Sequence, residues 1–541
     1  MQPRCESNSK TKTKTEARFQ RGALALIAAT LVVRLVAAAT VGPGNDEAYH
    51  VLYAWHLDWS YFDHPPMLGW LGRLGLELWG NPRSLLGLRL GFVLLFAATT
   101  WLMYRLTARR WGARAGFAAA VWLNAIGYYG GASGLFALPD GPFAFFWLAM
   151  LDRLAAAQEQ PERHGVWLVA GLAWGGALLS KYIAAALPLG VVLWLACDTR
   201  ARALVARNLR GPLLFALGGL IAFSPTLGWN AVHGWVSFAF QGGRAVGWTS
   251  LRPDTLGLAL AGLAAYLFPW MLAVLLTAAA ATLRELKTNP RAFTSSPSTS
   301  NNPEPSPGPP TTGRPPDSLD TLLLCLAAVV IGFFLMLACV KPILPHWTMI
   351  GWLSLVPLAG RWTDQCWTTR PVRAQRLLTA ALTAWAFVMG LAIVQACWTP
   401  LPLGRLDPLT DHVGYPQVAD QLRARGLADP DRVFWFARRW FSAGHLALAS
   451  GGDLEVACFH DHDARGFVFW NDPNATLGRD GVLVSESSRT DQERNAYAPY
   501  FEAFEPLGRV TATQRGRVIR TLELTLFRRQ LKPFPIGPRP E

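Results

Sequence analysis

The sequence predicts a mostly α-helical, polytopic membrane protein that ends in a small soluble α/β domain, and three observations carry that prediction. Of the 541 residues 51% are hydrophobic and only 16% charged, and the mean hydropathy is positive at +0.21, a balance that excludes an ordinary soluble chain. Apolar runs of spanning length recur at 22–41, 85–104, 115–134, 141–157, 166–181, 183–197, 212–228, 255–282, 319–340, 347–360 and 377–398, which predicts about eleven transmembrane helices. The loops between them alternate in charge. Arg105, Arg109, Arg110 and Arg114, then Arg153 and Arg163, then Arg200, Arg202, Arg207 and Arg210 fall on one side, as do the basic residues of 284–314 and 361–376. The other side holds only Arg73, Arg83, Lys181, Arg244, Arg252 and Lys341. Because cytoplasmic loops are the basic ones, this asymmetry predicts a cytoplasmic N-terminus. The net charge of +14 is therefore a topology signal, and nucleic acid is not an expected partner.

Each segment follows from its composition. Residues 1–21 form a basic tail, and Arg34 interrupts the first run, which fits a retained anchor better than a cleaved signal peptide. Residues 22–288 form a transmembrane block with its first outer loop at 42–84. The Pro- and Ser-rich stretch 289–318 cannot build a core and reads as a disordered cytoplasmic linker. Residues 319–399 hold the remaining helices. From 400 to 541 the composition turns soluble, with strand-like runs at 432–437, 454–459, 466–470, 481–485 and 517–527 and a helix near 441–450. The seven cysteines show no paired spacing for a disulfide framework or a zinc site.

The polar residues that look out of place collect on the outer side. NDEAYHVLYAWHLDWSYFDHPP, at 45–66, packs acids and histidines among aromatics; Asp46 and His50 share a helical face, while Leu52, Trp55 and Trp59 form a side suited to the headgroup layer. One reading is an interfacial helix with solvated charges. The other has Asp46 and Glu47 at the rim of a cavity, acting on a polar substrate presented from the lipid. Further outer-side groups are Asp140 in LPDGP, which also suits a helix cap, Lys181 in SKY, which also suits snorkelling, and His233 in WNAVHGW, which also suits an interfacial anchor. Arg244, Lys341 and the KPILPHW motif with His346 complete the set, and the HDHD at 460–463 reads as a solvated loop. Acids that activate a hydroxyl, together with isolated cations that hold a phosphate, point to glycosyl transfer at a lipid phosphate.

Taken in order, DEAYH (46–50), HLDWSYFDHPP (56–66), LPDGPF (138–143), LLSKYIA (178–184), WNAVHGWVSFAFQ (229–241) and KPILPHW (341–347) resemble bacterial glycosyltransferase family 39, the GT-C enzymes of the protein-mannosyltransferase and aminoarabinose-transferase type. The resemblance implies a polyprenyl-phosphate sugar donor, a glycolipid or protein acceptor at the periplasmic face of a bacterial inner membrane, and inversion at the anomeric carbon. It implies Asp46 as the catalytic carboxylate with Glu47 beside it, and Asp140 as a second acid. Lys341, Lys181 and Arg244 are the candidates for the donor phosphate, and His64, His233 and His346 complete the substrate-binding set. No cofactor is expected, since the donor already carries an activated anomeric phosphate, and no metal is called for. The rival readings are a transporter or flippase for a lipid-linked sugar, with Arg34 lining a path, and a catalytically silent glycan-binding membrane protein.

Overall fold

The computed structural model describes residues 3–245, 250–288, 317–404, 407–514 and 516–537; the expected linker lies almost wholly outside the described residues. The first helix, α1, runs from Pro3 to Thr40, so the expected basic tail is no separate segment. Its Lys, Glu and Arg residues favour helix and no glycine interrupts it before Gly22. Two short helices, α2 (Asn45–Trp55) and α3 (Met67–Trp79), lead to the long α4 (Leu85–Trp111) and to α5 (Ala113–Ala125). Next come α6 (Asp140–Glu159), α7 (His164–Ser180), α8 (Leu187–Cys197) and α9 (Thr199–Arg207). The block continues with α10 (Arg210–Val232), α11 (Val236–Ala245), α12 (Pro253–Leu267) and α13 (Pro269–Thr288). It closes with α14 (Ser318–Ala338), α15 (Met349–Thr369) and α16 (Pro371–Trp398).

Six of the described helices are each long and apolar enough to cross a bilayer, and a seventh span arises if the bent pair at 182–207 counts as one. The chain is a multi-pass membrane protein, with fewer independent spans than the eleven expected. The difference has physical causes. The run at 255–282 is two helices parted at Phe268, whose φ of 65° lies in the left-handed region just before Pro269. The run at 115–134 is a helix of 13 residues followed by a π turn, Gly127–Ser133. The helices α6 and α15 are walled mostly by protein and tolerate charge at their ends.

Irregular backbone at membrane depth needs protein partners for its freed polar groups. Arg34 supplies one here: its Nη2 donates to Asn124 Oδ1 and to the Gly130 carbonyl, both at 2.9 Å, and Trp385 Nε1 donates to the same carbonyl at 3.1 Å. The guanidinium carbon lies 4.4 Å above the Phe96 ring. Arg34 therefore braces the π turn instead of lining a translocation path.

Beyond Asp407 the chain is mixed α/β. Its helices are α17 (Tyr415–Ala424), α18 (Trp440–Ser450), the single turn α19 (Phe467–Trp470) and α20 (Thr490–Tyr497). The strands β1 (Val433–Ala437), β2 (Val456–Cys458), β3 (Asp480–Glu486), β4 (Phe501–Gln514) and β5 (Arg517–Gln530) form one sheet in the order β2-β1-β3-β5-β4. β1 runs parallel to β2 and β3, pairing Trp435 with Val456 and Val482, while β3 and β4 flank β5 antiparallel. The expected strand at 466–470 is the helical turn α19, because Gly466 and Phe467 close a turn under Trp470 and leave no edge to pair.

The expected apolar side of α2 is covered by protein at Leu52, while Trp59 stays exposed. Tyr49, Val51, Leu52 and Tyr53 are buried in a core shared with Val418, Trp435, Leu446 and Val482 of the sheet region. α18 packs directly on α2, and a Cβ added at Gly444 would come within 2.7 Å of the Ala48 carbonyl oxygen. Gly444→Val should cost about 1–3 kcal/mol by forcing these helices apart. A lowered melting temperature and faster proteolytic cleavage near residues 400–407 would register it; an unchanged melting curve would mean that the contact is loose.

Candidate active site

Asp46 and Glu47 both lie in the first turn of α2, where the exposed amides of a helix N-terminus favour carboxylates. Neighbouring helical residues point about 100° apart, so the two acids meet different surroundings. Glu47 turns inward and is buried. It accepts Nε of the fully buried Arg89 at 2.8 Å, pairs with its Nη2, and accepts the Ala137 amide at 2.9 Å. Arg89 in turn donates to the carbonyls of Ala38 at 2.9 Å, Val41 at 2.6 Å and Gly42 at 3.2 Å. This pair fastens the end of α1, the start of α2, α4 and the turn before α6 to one another. Glu47 is thus not at the cavity with Asp46, and the expectation that both acids stand at its rim is corrected. Asp46, one residue earlier, is exposed, and its carboxylate makes no hydrogen bond or ion pair among the described residues.

Asp46 opens into a cavity of about 660 Å³. One part of its wall is polar, with Asp46, His50, His64, Asp140, Lys181, Gln241, Arg244, His346 and Arg465; the other is apolar, with Phe268, Phe333, Phe334, Leu337, Leu344 and Val388. Six of the expected site residues meet here: Asp46, His64, Asp140, Lys181, Arg244 and His346. Two others do not. His233 stacks on Trp229 at 3.9 Å with Nδ1 donating to the Trp229 carbonyl at 2.7 Å, which occupies the ring at the end of α10. Lys341, the first choice for the phosphate, sits in the turn after α14 and does not line the cavity.

The cations that do line it differ in how far they are already engaged. Lys181 follows the last residue of α7 in extended conformation and reaches across to Asp140, the first residue of α6, with Nζ 2.8 and 2.9 Å from the two carboxylate oxygens. Arg244, near the end of α11, forms no ion pair among the described residues; its guanidinium lies 5.1 Å from the Trp347 ring and 5.3 Å from Phe240. Tyr128, carried by the π turn, stacks parallel to Tyr266 at 5.2 Å and to His346 at 6.0 Å. His50 is fixed by Nδ1 donating to the Ala137 carbonyl at 2.8 Å.

Beside this wall the loop 56–66 folds around Asp63, which is buried. Its carboxylate accepts the hydroxyls of Tyr49, at 3.1 Å, and Tyr53, and lies 3.3 Å from Arg465 of the sheet region; Gln241 Nε2 donates to its backbone carbonyl at 2.6 Å. Burial alone would raise the Asp63 carboxyl, but His64, Arg465 and the Tyr53 hydroxyl hold it below the usual carboxylate range. Burial pushes His64 down to about 4, so at neutral pH its imidazole is uncharged and Arg465 is the cation that holds Asp63 ionised. Arg465 is the site residue that sequence reasoning missed. It stands two residues after HDHD, a motif weighed only for metal, and among the described residues no three metal-binding side chains converge.

Residues 63–229 match the family model described as dolichyl-phosphate-mannose-protein mannosyltransferase, a stretch that includes Asp140 and Lys181 and begins after Asp46. Over nearly its whole length the chain superposes on the crystal structure of ArnT from Cupriavidus metallidurans in the apo state, at 16% identity and a TM-score of 0.61, covering 94% of this chain and 98% of that one. It has the GT-C glycosyltransferase fold. The same bacterium's ArnT bound to undecaprenyl phosphate gives 17% identity and a TM-score of 0.59, covering 93% and 97%. Comparison with curated proteins gives no significant match. The family resemblance expected from the six motifs is thereby borne out, as is the fold class.

Breaking the buried Glu47–Arg89 pair should be costly: Glu47→Ala is expected to lose about 3–5 kcal/mol, because it leaves the Arg89 guanidinium buried without its counter-charge and the Ala137 amide without its acceptor. Thermal denaturation in detergent measures it, and a loss under about 1 kcal/mol would make the pair no stronger than an exposed ion pair. His64 adds a pH dependence. Its folded value lies below its unfolded one, so the unfolded chain takes the proton first and stability falls as pH drops from about 6.5 toward 4. His64→Asn should flatten that slope; an unaltered slope would place the ring in water.

Proposed function

We propose that this protein is an inverting glycosyltransferase that moves a sugar from a polyprenyl-phosphate donor to a glycolipid or protein acceptor, with Asp46 as the general base. The observation that carries this reading is the division of one cavity into an unpaired carboxylate, a group of cations and an apolar wall. The apolar residues suit the first isoprene units. Arg244, with Lys181 beside it, suits the phosphate, while His64 and His346 suit hydrogen bonds to the sugar. ArnT, whose fold this chain shares, has been crystallised with undecaprenyl phosphate, which supports a donor of that class.

In the reaction the acceptor hydroxyl attacks the anomeric carbon from the face opposite the lipid phosphate, and its proton passes to Asp46. The C1–O bond breaks with its electron pair going to the phosphate, whose added negative charge the fixed cations stabilise more in the transition state than in the ground state. Asp140 serves by holding Lys181 in place. The charge of the loops supports a bacterial inner-membrane protein with a cytoplasmic N-terminus, a periplasmic site and a periplasmic domain from about residue 400.

Transfer of radiolabelled sugar from a polyprenyl-phosphate donor should fall about 10²- to 10⁴-fold in Asp46→Asn at normal folded yield. Equal transfer by wild type and variant would remove Asp46 from the mechanism.

A further inference from the structure

The cavity draws one of its cations from the far end of the sequence. Arg465 lies in the loop before α19 and reaches the wall that Arg244 also lines, within electrostatic range of it. Several contacts hold it there. Its guanidinium carbon sits 3.8 Å from the centre of the Trp440 ring, its Nη1 is 3.3 Å from Asp63 and its Nε 3.3 Å from Asp463. Tyr49 of α2 accepts the next amide, that of Gly466, at 2.8 Å. The backbone at Arg465 has φ of 49°, a left-handed conformation that a non-glycine residue keeps only where its surroundings impose it. After these contacts Nη2 has no acceptor among the described residues.

Two guanidinium groups on one wall of a largely apolar cavity repel each other, and an anion between them converts that repulsion into attraction. Resting on the function proposed above, we propose that Arg465 is a second ligand of the donor phosphate and that the C-terminal domain thereby contributes to the active site. The donor phosphodiester carries one negative charge. When C1 leaves for the acceptor oxygen and the bonding pair stays on the phosphate oxygen, the lipid phosphate carries up to two. A second guanidinium beside Arg244 therefore holds the leaving group more strongly than the donor, and its loss lowers kcat more than it raises KM.

The test uses the full-length protein in nanodiscs and compares binding of polyprenyl phosphate with that of the polyprenol of the same chain length. Arg465→Gln should weaken polyprenyl phosphate by about 10- to 100-fold, as expected for a lost charge-assisted hydrogen bond, and leave polyprenol unchanged. Arg465→Lys, which keeps the charge without the fork and guards against misfolding of the glutamine variant, should show a smaller loss, again confined to the phosphate. Equal weakening of both lipids would make Arg465 only a brace for its loop and overturn the proposal, as would unchanged phosphate binding. Wild-type protein that fails to prefer the phosphate over the alcohol would overturn the proposed function itself.

Discussion

The buried pair between Glu47 and Arg89 is the constraint on which the site depends. A charge pair taken out of water repays its desolvation only with good geometry and further hydrogen bonds, and here Arg89 also caps three carbonyls where α1 ends while Glu47 also caps the amide of Ala137. What the pair secures is direction. It sets the rotation of α2 about its axis, and that rotation turns Asp46 toward the cavity. It also ties the turn before α6 to α2, so Asp140, and through it Lys181, is held relative to Asp46.

Charge in the cavity is graded by how far each group is already engaged. Lys181 is held by both oxygens of Asp140, Arg465 is shared with Asp63 and Asp463 at longer distances, and Arg244 pairs with no described carboxylate. An incoming phosphate therefore meets its strongest unsatisfied field at Arg244. His64, kept neutral by burial, adds hydrogen-bonding capacity without adding charge. Asp46 stays on the same wall with no cation paired to it among the described residues, which is what the proposed role of a base requires.

Much of this was legible in the sequence, for identifiable reasons. Asp46, His64, Asp140, Lys181, Arg244 and His346 sit in short motifs at the ends of apolar runs, and once the runs are threaded through a membrane those ends converge. Glu47 could not be told from Asp46 because the distinction lies in the helix's rotation, which Arg89 sets from another helix. His233 and Lys341 obey the same topological rule yet stand outside the cavity, His233 stacked on Trp229 and Lys341 in the turn after α14. Arg465 was invisible because its contact with Asp63 spans 402 positions. In the sheet region β1, β3 and β5 showed as apolar runs, whereas β4 did not. It is a mostly exposed edge strand that contains Pro506 and Gly508, with a shift in its pairing between them, so it reads as a turn.

The seating of α2 beneath α18 has a consequence for how the molecule is made. Asn45 and His445, 400 positions apart, meet across that contact. Synthesis runs from the N-terminus, so α2 leaves the ribosome well before the surface that covers it. During synthesis the aromatic face of α2 therefore stays uncovered until α18 has been made and has folded against it. A chain that ends before α18 would lack the surface that buries Tyr49 and Tyr53 and fixes the helix carrying Asp46.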